Sequence, residues 1–194
     1  MTSAATSSTP LEERVRKSLR EGDLDAAATA AIEALTPGVR GYLLTMLPDD
    51  DAQDVLSMVE VDLWRGLPGF RWECSLRAWA YRLAWRAVAR HVRNGYRRRR
   101  QPLPSSIASR LAAPDTSRSG LGGRRERLSQ LRDELPLDER SLLVLRVGRN
   151  LAWDEVSAVL AAEGQEVSSA ALRKRFERLK SKLAHLARER GLLG

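Results

Sequence analysis

Few residues of this sequence could carry out covalent chemistry. The 194-residue chain contains one cysteine, Cys74, and two histidines, His91 and His185. One thiol excludes an internal disulfide, and these residues form no cluster with metal-ligand spacing. The aspartates at 49–51 and Asp54 could hold Mg²⁺, but such carboxylates more often serve as favourable charge at a helix N-terminus. Phosphate-loop, nucleophile-elbow and HExxH motifs are missing, so we predict no catalytic residue, no metal site and no cofactor.

The stretch from Phe70 to Arg100 is suited to non-covalent chemistry, because it combines aromatic rings with guanidinium groups. Three of the five tryptophans lie between Trp72 and Trp85. Rings stack on exposed bases and arginines follow the phosphates, so this pattern favours single-stranded nucleic acid. The alternative is an amphipathic helix with core tryptophans and a solvated basic face. At helical spacing, five residues of this stretch share one face of a helix: Tyr81, Trp85, Val88, Val92 and Tyr96. Five arginines share the neighbouring face: Arg82, Arg86, Arg90, Arg93 and Arg97.

The overall charge of the chain also points to a polyanionic partner. The formal net charge is +8 and the sequence pI is about 10.5. Nucleic acid is the first candidate and an acidic membrane surface the second. The chain lacks an apolar run that approaches the roughly 18 residues of a membrane span, and Met1 to Pro10 does not resemble a secretory signal. We therefore expect a cytoplasmic protein with at least one core, since 43% of its residues are hydrophobic.

An acidic segment precedes the basic one. From Asp49 to Asp62 the sequence carries acidic residues and no basic residue. Val55, Val59 and Leu63 recur every four residues, which predicts a helix that buries one face. The acidic face left outside indicates either a docking surface for a basic partner or a solvated face with a well-charged N-terminus.

The composition predicts an all-α fold with two small helical domains joined by a flexible linker. Pro, Ser and Gly without periodicity mark the linker at 99–124. A disordered tail at 1–10 precedes a first helical domain at 11–98. The second domain, 125–194, is predicted to be a helix-turn-helix.

Individual residues predict where helices begin. Asp23, Asp138, Asn150 and Ser168 are each predicted to cap the N-terminus of a helix. Pro37 is predicted to start a new helix after a break in the preceding one.

The last predicted helix has the clearest amphipathic pattern in the chain. Ser168 precedes it, and its apolar stripe runs from Leu172 to Leu186 at helical spacing. Basic residues lie away from the stripe, as in a recognition helix whose N-terminal end enters the major groove. The alternative is an ordinary basic surface helix that closes a bundle.

The order and spacing of these motifs resemble a bacterial RNA polymerase sigma factor of the extracytoplasmic-function type. The resemblance covers the chain from about Leu24 to Leu193. It rests on the following motifs: Asp51-Ala-Gln-Asp54, Leu63-Trp-Arg65, Phe70-Arg71, Ser75-Leu-Arg-Ala-Trp-Ala-Tyr-Arg-Leu-Ala84, Leu135-Pro136 through Arg140, Trp153-Asp-Glu-Val156 and Ser168 through Leu183.

The resemblance implies a role for each segment. One helix would dock on the clamp helices of the polymerase's largest subunit, a second segment would melt the minus-ten element and capture a flipped base, and the last helix would read the minus-thirty-five element. Residues implied in polymerase docking are Asp51, Asp54, Val55, Met58, Glu60, Asp62 and Trp64. Those implied at the minus-ten DNA are Phe70, Arg71, Trp79, Tyr81, Arg82, Trp85, Arg86, Arg90 and Arg93. Those implied at the minus-thirty-five DNA are Ser168, Ser169, Ala171, Arg173, Lys174, Arg175 and Arg178.

The chain departs from the family pattern at several positions. Ser57 and Met58 stand where a Gln-Glu pair is usual, and Arg86 replaces the usual Asn. A turn near 84–87 is expected to set the base preference. The turn before Ser168 is longer than usual, and residues 164–167 are expected to loop out.

The predicted function is therefore that of a sigma factor, not of an enzyme. It would bind core RNA polymerase and promoter DNA and help to open the DNA, with an anti-sigma protein as a possible further partner. The alternative is a stand-alone helix-turn-helix regulator whose N-terminal domain binds a ligand or dimerises. A nucleic-acid enzyme is disfavoured, because paired carboxylates or a His, Cys or Lys site in a pocket are not evident.

Overall fold

A computed structural model describes residues 9–100, 130–161 and 167–192, with side chains up to residue 95 in the first range. Most of the predicted tail and most of the predicted linker lie outside these residues. So do residues 162–166, which hold most of the predicted loop before Ser168. The described residues are helical and contain no strand, which confirms the predicted all-α class.

The first domain contains four helices. These are α1 (Pro10–Arg20), α2 (Leu24–Leu43), α3 (Asp49–Gly66) and α4 (Leu76–Arg100), and a 3-10 turn at Leu67–Gly69 follows α3. Consecutive helices pack against each other, and α4 also packs against α2. Helix α4 begins six residues after Phe70, and residues 71–75 between Phe70 and the helix form a loop.

Local side-chain chemistry explains where the first helices begin. Thr9 accepts a hydrogen bond from the Glu12 amide at 3.3 Å, and Pro10 supplies the first helical residue of α1. The α1 helix thus begins at the last residue of the predicted tail. The Asp23 carboxylate accepts from the Ala26 amide at 2.9 Å, which confirms the predicted cap of α2.

The predicted helix start at Pro37 is wrong. Pro37 lies inside α2, which continues to Leu43. A proline inside a helix removes one hydrogen bond and costs about 3 kcal/mol relative to alanine. Burial of Leu35, Val39 and Tyr42 along the same helix offsets this cost, so tertiary packing overrides the local signal.

The described part of the second domain, residues 130–161 and 167–192, contains three helices after a helical turn at residues 130–133. Helix α5 (Leu137–Leu143) continues into a π-helical turn (Val144–Gly148). Helices α6 (Trp153–Leu160) and α7 (Ser169–Glu189) follow and pack against each other. They are the two helices of the predicted helix-turn-helix.

Two of the three predicted caps in this domain are wrong. Pro136 is the N-cap residue of α5, and Asp138 lies in its first turn, where its carboxylate accepts from the Glu139 amide at 3.0 Å and binds Arg175. Asn150 has a φ of 51°, a left-handed conformation that Asn tolerates better than most residues, and α6 starts after Ala152. The Ser168 cap is confirmed, because its hydroxyl accepts from the Ala171 amide at 3.2 Å.

The buried carboxylate of Glu12 connects α1 to the start of α4. Glu12 is only 3% exposed, and its carboxylate accepts a hydrogen bond from the Leu76 amide at 2.8 Å. Leu76 is the first residue of α4, so a side chain 64 positions earlier satisfies one of that helix's free amides. The sequence analysis missed this contact, because no local pattern links the two positions.

Replacing Glu12 with alanine is expected to lower the free energy of unfolding by about 1.5–3 kcal/mol, the typical contribution of a hydrogen bond to a charged group. The change would leave the buried Leu76 amide without its acceptor. Chemical denaturation followed by circular dichroism measures the effect. The neighbouring Glu13 is exposed, so Glu13→Ala is the matched control. Equal stability of the two variants would contradict this role of Glu12.

Candidate nucleic-acid and polymerase interfaces

An aromatic cluster fills the space between the loop before α4 and the first turn of that helix. The Phe70 ring stacks on Trp79 with centroids 4.7 Å apart and contacts Trp72 at 4.8 Å. Trp79 is only 7% exposed. A Cβ atom on Gly66 would lie 2.9 Å from the Trp79 ring, so the glycine allows the ring to pack against α3. Trp79 therefore lies in the core of the first domain.

Tyr81, a second predicted minus-ten residue, is also buried. It is 3% exposed, and its ring meets the edge of Tyr42 with centroids 5.7 Å apart. A Cβ atom on Gly38 would lie 2.8 Å from the Tyr81 hydroxyl. Tyr81 thus packs against α2, whereas Trp85, four residues later, is half-buried.

The expected base-reading turn near 84–87 is wrong, because these residues lie within α4. Ala84 is fully buried and Ala87 is 2% exposed, so the helix packs tightly at this point. The concave feature of this region is instead the loop before α4, which forms a pocket of about 260 Å³. We call it the loop pocket. Its lining residues are Gly66, Gly69, Phe70, Arg71, Glu73, Cys74, Trp79 and Arg82.

The loop pocket combines aromatic walls with hydrogen-bonding groups. Arg71 and Glu73 are exposed at its rim, 3.9 Å apart. The Arg82 Nε atom is buried and has no hydrogen-bond partner within the described residues. Burial raises the pKa of the Cys74 thiol, although the positive charge of Arg82 partly opposes this shift. Cys74 is therefore protonated and weakly nucleophilic near neutral pH.

Exposed arginines form a row along the second half of α4. Arg86, Arg90 and Arg93 are exposed, and Arg82 is half-buried at the start of the row. Arg90 lies 3.9 Å from Asp62 of α3. Arg86 and Arg93 are thus exposed to solvent and able to meet phosphates, whereas Arg90 lies beside a carboxylate of α3.

The structure divides the predicted docking residues of α3 into three groups. Val55 is fully buried and belongs to the core. Asp51 and Asp62 face α4, where Asp51 lies 3.4 Å from His91, and Glu60 accepts a hydrogen bond from Thr36 at 2.9 Å. The exposed remainder consists of Asp54, Met58 and Trp64.

Met58 and Trp64 belong to an exposed apolar patch. Together with Val61 they form what we call the α3 patch. Met58 and Trp64 are each 45% exposed, and Val61 is 44% exposed. The sequence analysis missed Val61, although its spacing of three from each neighbour could have indicated it. Grouped exposed apolar side chains are typical of protein interfaces.

The predicted recognition helix α7 presents a mixed surface. Arg173, Lys174 and Arg178 are exposed. Arg175 is bound to Asp138 of α5, and Lys182 lies 2.8 Å from Glu139 of the same helix. The paired residues therefore fix the orientation of α7, and the exposed ones leave a basic face.

The first turn of α7 is held from two sides. Ser168 caps it, and the Ser169 hydroxyl donates to the Asp154 carboxylate of α6 at 2.5 Å. Ala171 is exposed between these contacts and the basic face. This end of the helix projects a small side chain beside cations, a shape that fits a DNA groove.

The described residues contain no group of three or more His, Cys, Asp or Glu side chains that could hold a metal ion. None of their helices is long and apolar enough to cross a membrane.

Comparison with known proteins identifies one part of the chain. Residues 31–100, from the middle of α2 to the end of α4, match the sequence model of sigma-70 region 2. A search of curated protein sequences found no match.

Two solved structures share the fold of this chain. The sigma factor RpoE of Bartonella quintana, in complex with the anti-sigma factor NepR, matches with a TM-score of 0.62 and 16% identity over 81% of this chain and 94% of that chain. CnrH, in complex with the cytosolic domain of CnrY, matches with a TM-score of 0.55 and 23% identity over 92% of this chain and 95% of that chain. Both likenesses extend over the two helical domains.

Proposed function

We propose that this chain is a sigma factor that binds core RNA polymerase, reads the minus-thirty-five and minus-ten elements of a promoter and helps to open the DNA. The observation that carries the proposal is the region 2 match, which covers the helices with the α3 patch and the arginine row. Reading duplex and opened DNA requires two separate surfaces, and the chain offers one in each domain. Bond-making chemistry remains with the polymerase.

The α3 patch is the proposed contact with polymerase. Its three apolar side chains are exposed, and Asp54 adds a carboxylate on the same helix. Asp51, Glu60 and Asp62 already contact other parts of the first domain. We therefore assign them a positioning role and assign the docking energy to the apolar patch.

The loop pocket is the proposed receptor for a flipped non-template base. Pockets that hold flipped bases combine flat aromatic walls with groups that hydrogen-bond to the base edge. Phe70 supplies a wall, and Arg71, Glu73 and Arg82 supply donors and acceptors. The arginine row on α4 would guide the displaced strand by its phosphates.

The exposed face of α7 is the proposed reader of duplex DNA. Arg173→Ala or Lys174→Ala is expected to weaken promoter binding by about 1–3 kcal/mol if the residue reads a base. A residue that contacts only phosphate would weaken binding to all sequences alike and reduce the salt dependence. Titrations of promoter and mismatched duplexes at several salt concentrations separate these outcomes. Lys180, paired with Glu177 at 2.7 Å, supplies the control variant Lys180→Ala.

The direct test of the proposed function is binding of the purified chain to bacterial core RNA polymerase in competition with the housekeeping sigma factor. Stoichiometric and competable binding is expected. DNA binding without polymerase binding would instead favour the stand-alone regulator. Loss of promoter discrimination in the Arg173→Ala variant would not by itself distinguish a sigma factor from a stand-alone regulator, because both need a surface that reads duplex DNA.

An anti-sigma protein is the proposed regulatory partner, since RpoE was solved with one. An apolar groove of about 650 Å³ lies in the second domain, and Thr45 of the first domain borders it. Leu143, Val147 and Leu183 contribute to its apolar lining. Val147 is 64% exposed. An amphipathic helix of an anti-sigma protein would bury these apolar side chains.

A further inference from the structure

Helices α5 and α7 enclose a charged pocket beside the proposed reader of duplex DNA. The pocket has a volume of about 410 Å³ and is lined by Glu139 of α5 and by Arg175, Arg178, Leu179 and Lys182 of α7. We call it the α5–α7 pocket. Three of these five side chains carry a positive charge and one carries a negative charge, so the lining favours an anion.

The cations of the pocket lie along one side of α7. Arg178 is three positions from Arg175 and four from Lys182, and such spacings bring side chains together on a helix. Arg178 is also four positions from Lys174, an exposed residue of the proposed reading face. The pocket therefore borders the surface that would meet duplex DNA, and a backbone phosphate at the edge of the groove is the anion within its reach.

Two carboxylates of α5 already pair with cations of the pocket. The Glu139 carboxylate lies 2.8 Å from the Lys182 ammonium group, and its neighbour Asp138 binds Arg175. Arg178 is exposed and has no ion-pair partner among the described residues. Arg178 is thus available to a phosphate at once, whereas Lys182 must first leave Glu139.

The pair between Glu139 and Lys182 is suited to exchange. The Lys182 side chain is 47% exposed, and ion pairs at a protein surface contribute little to stability. A lysine ammonium group sits on a flexible stem and donates in several directions, so it can turn from a carboxylate to a phosphate. Glu139 is less exposed, at 24%, and stays at the wall of the pocket.

We propose that the α5–α7 pocket binds a backbone phosphate of duplex DNA and that Glu139 competes with this phosphate for Lys182. Glu139 would then set the overall affinity for DNA and its dependence on salt. It would not set the preferred sequence, because every duplex offers the same phosphates. This inference rests on the proposed function, which assigns the reading of duplex DNA to α7.

The first experiment removes the competing charge. Glu139→Gln keeps the size of the side chain and releases Lys182 to the phosphate. One additional phosphate contact is expected to steepen the slope of log affinity against log salt concentration by about 0.9, which amounts to roughly eightfold between 1 M and 0.1 M salt. The same change is expected for promoter and mismatched duplexes. Equilibrium titrations of the full chain with labelled duplexes at several salt concentrations measure it.

The matched control is Glu134→Gln. Glu134 pairs with Arg190 at the C-terminal end of α7, and neither residue lines the pocket. This variant loses the same charge and the same kind of ion pair to α7. Its affinity and salt slope are expected to stay close to those of the wild type, so the comparison separates the pocket from the net charge.

The second experiment tests whether Glu139 acts through Lys182. In the double variant Glu139→Gln/Lys182→Gln, most of the gain from Glu139→Gln is expected to disappear, because the released cation is missing. Arg178→Gln is expected to flatten the salt slope by about 0.9 for every duplex, because it removes a phosphate contact. Circular dichroism establishes that each variant keeps its helical content. If Glu139→Gln does not, an unchanged slope in Arg178→Gln still overturns the phosphate site.

The outcomes separate this proposal from the sigma function. Unchanged affinity and salt slope in Glu139→Gln would overturn the competition, as would a gain confined to the promoter duplex. An equal gain in Glu134→Gln, or a full gain in the double variant, would overturn it as well. Absence of duplex binding by the wild type at low salt would overturn the phosphate site. If the expected slopes are found but the wild type does not bind core polymerase, the proposed function fails and the pocket stands.

Discussion

Replacing Trp79 with alanine is expected to lower the free energy of unfolding by about 3–5 kcal/mol, the usual cost of removing a large buried aromatic side chain. Trp79 is 7% exposed and stacks on Phe70, and the glycine at position 66 lets it approach α3. Its removal would leave a cavity between α3 and α4. A loss of this size is a large part of the total stability of a typical domain, which is about 5–15 kcal/mol. Chemical denaturation measures it.

The Trp79 prediction separates a core role from base stacking. The conservative variant Trp79→Phe keeps an aromatic ring and is expected to remain folded with a smaller loss of stability. If Trp79 acts through packing, promoter opening by Trp79→Phe should follow the fraction of folded protein. A fully stable Trp79→Ala variant that cannot open promoters would instead show that the ring stacks on DNA.

Replacing Trp64 with alanine is expected to weaken binding to core RNA polymerase by about 2–4 kcal/mol, as for a central aromatic residue of an interface. This corresponds to a loss of affinity of roughly 30-fold to 1,000-fold. Trp64 is 45% exposed and lies about one helical turn from Val61 in the α3 patch. An equilibrium titration of labelled protein with core polymerase measures the change.

The control for Trp64 is an exposed apolar residue outside the patch. Val92 on α4 is 43% exposed, so Val92→Ala removes apolar surface of similar exposure. The unfolding free energy of Trp64→Ala should change by less than that of a core variant, because its side chain is only partly buried. Unchanged polymerase affinity in a folded Trp64→Ala protein would exclude the α3 patch as the docking site.

The sequence correctly predicted structural features that depend on residues close together in the chain. Caps at Asp23 and Ser168 were predicted correctly, because a side chain three positions from its target amide forms the bond. The helical spacing of apolar residues also predicted α7 and its buried stripe. The order of the motifs predicted a resemblance to sigma factors, and the region 2 match supports it over residues 31–100.

Local signals failed where distant parts of the chain compete for the same residue. Pro37 indicates a helix start, yet packing of α2 carries the helix through it. Asp138 has the chemistry of a cap, but Arg175 of α7 binds its carboxylate. Aromatic residues next to arginines suggested stacking on bases, whereas Trp79 and Tyr81 pack inside the first domain.

The sequence by itself determined the helical class, the basic character and most helix faces, since these depend on composition and on spacings of three or four residues. The tertiary structure decided which members of each face are exposed, because that depends on the element packed opposite. It also decided the cap that Glu12 places on α4 and the bond between Tyr42 and Ser141, whose partners are 64 and 99 positions apart. Contacts over such separations form only when the whole chain folds, so no sequence window contains both partners.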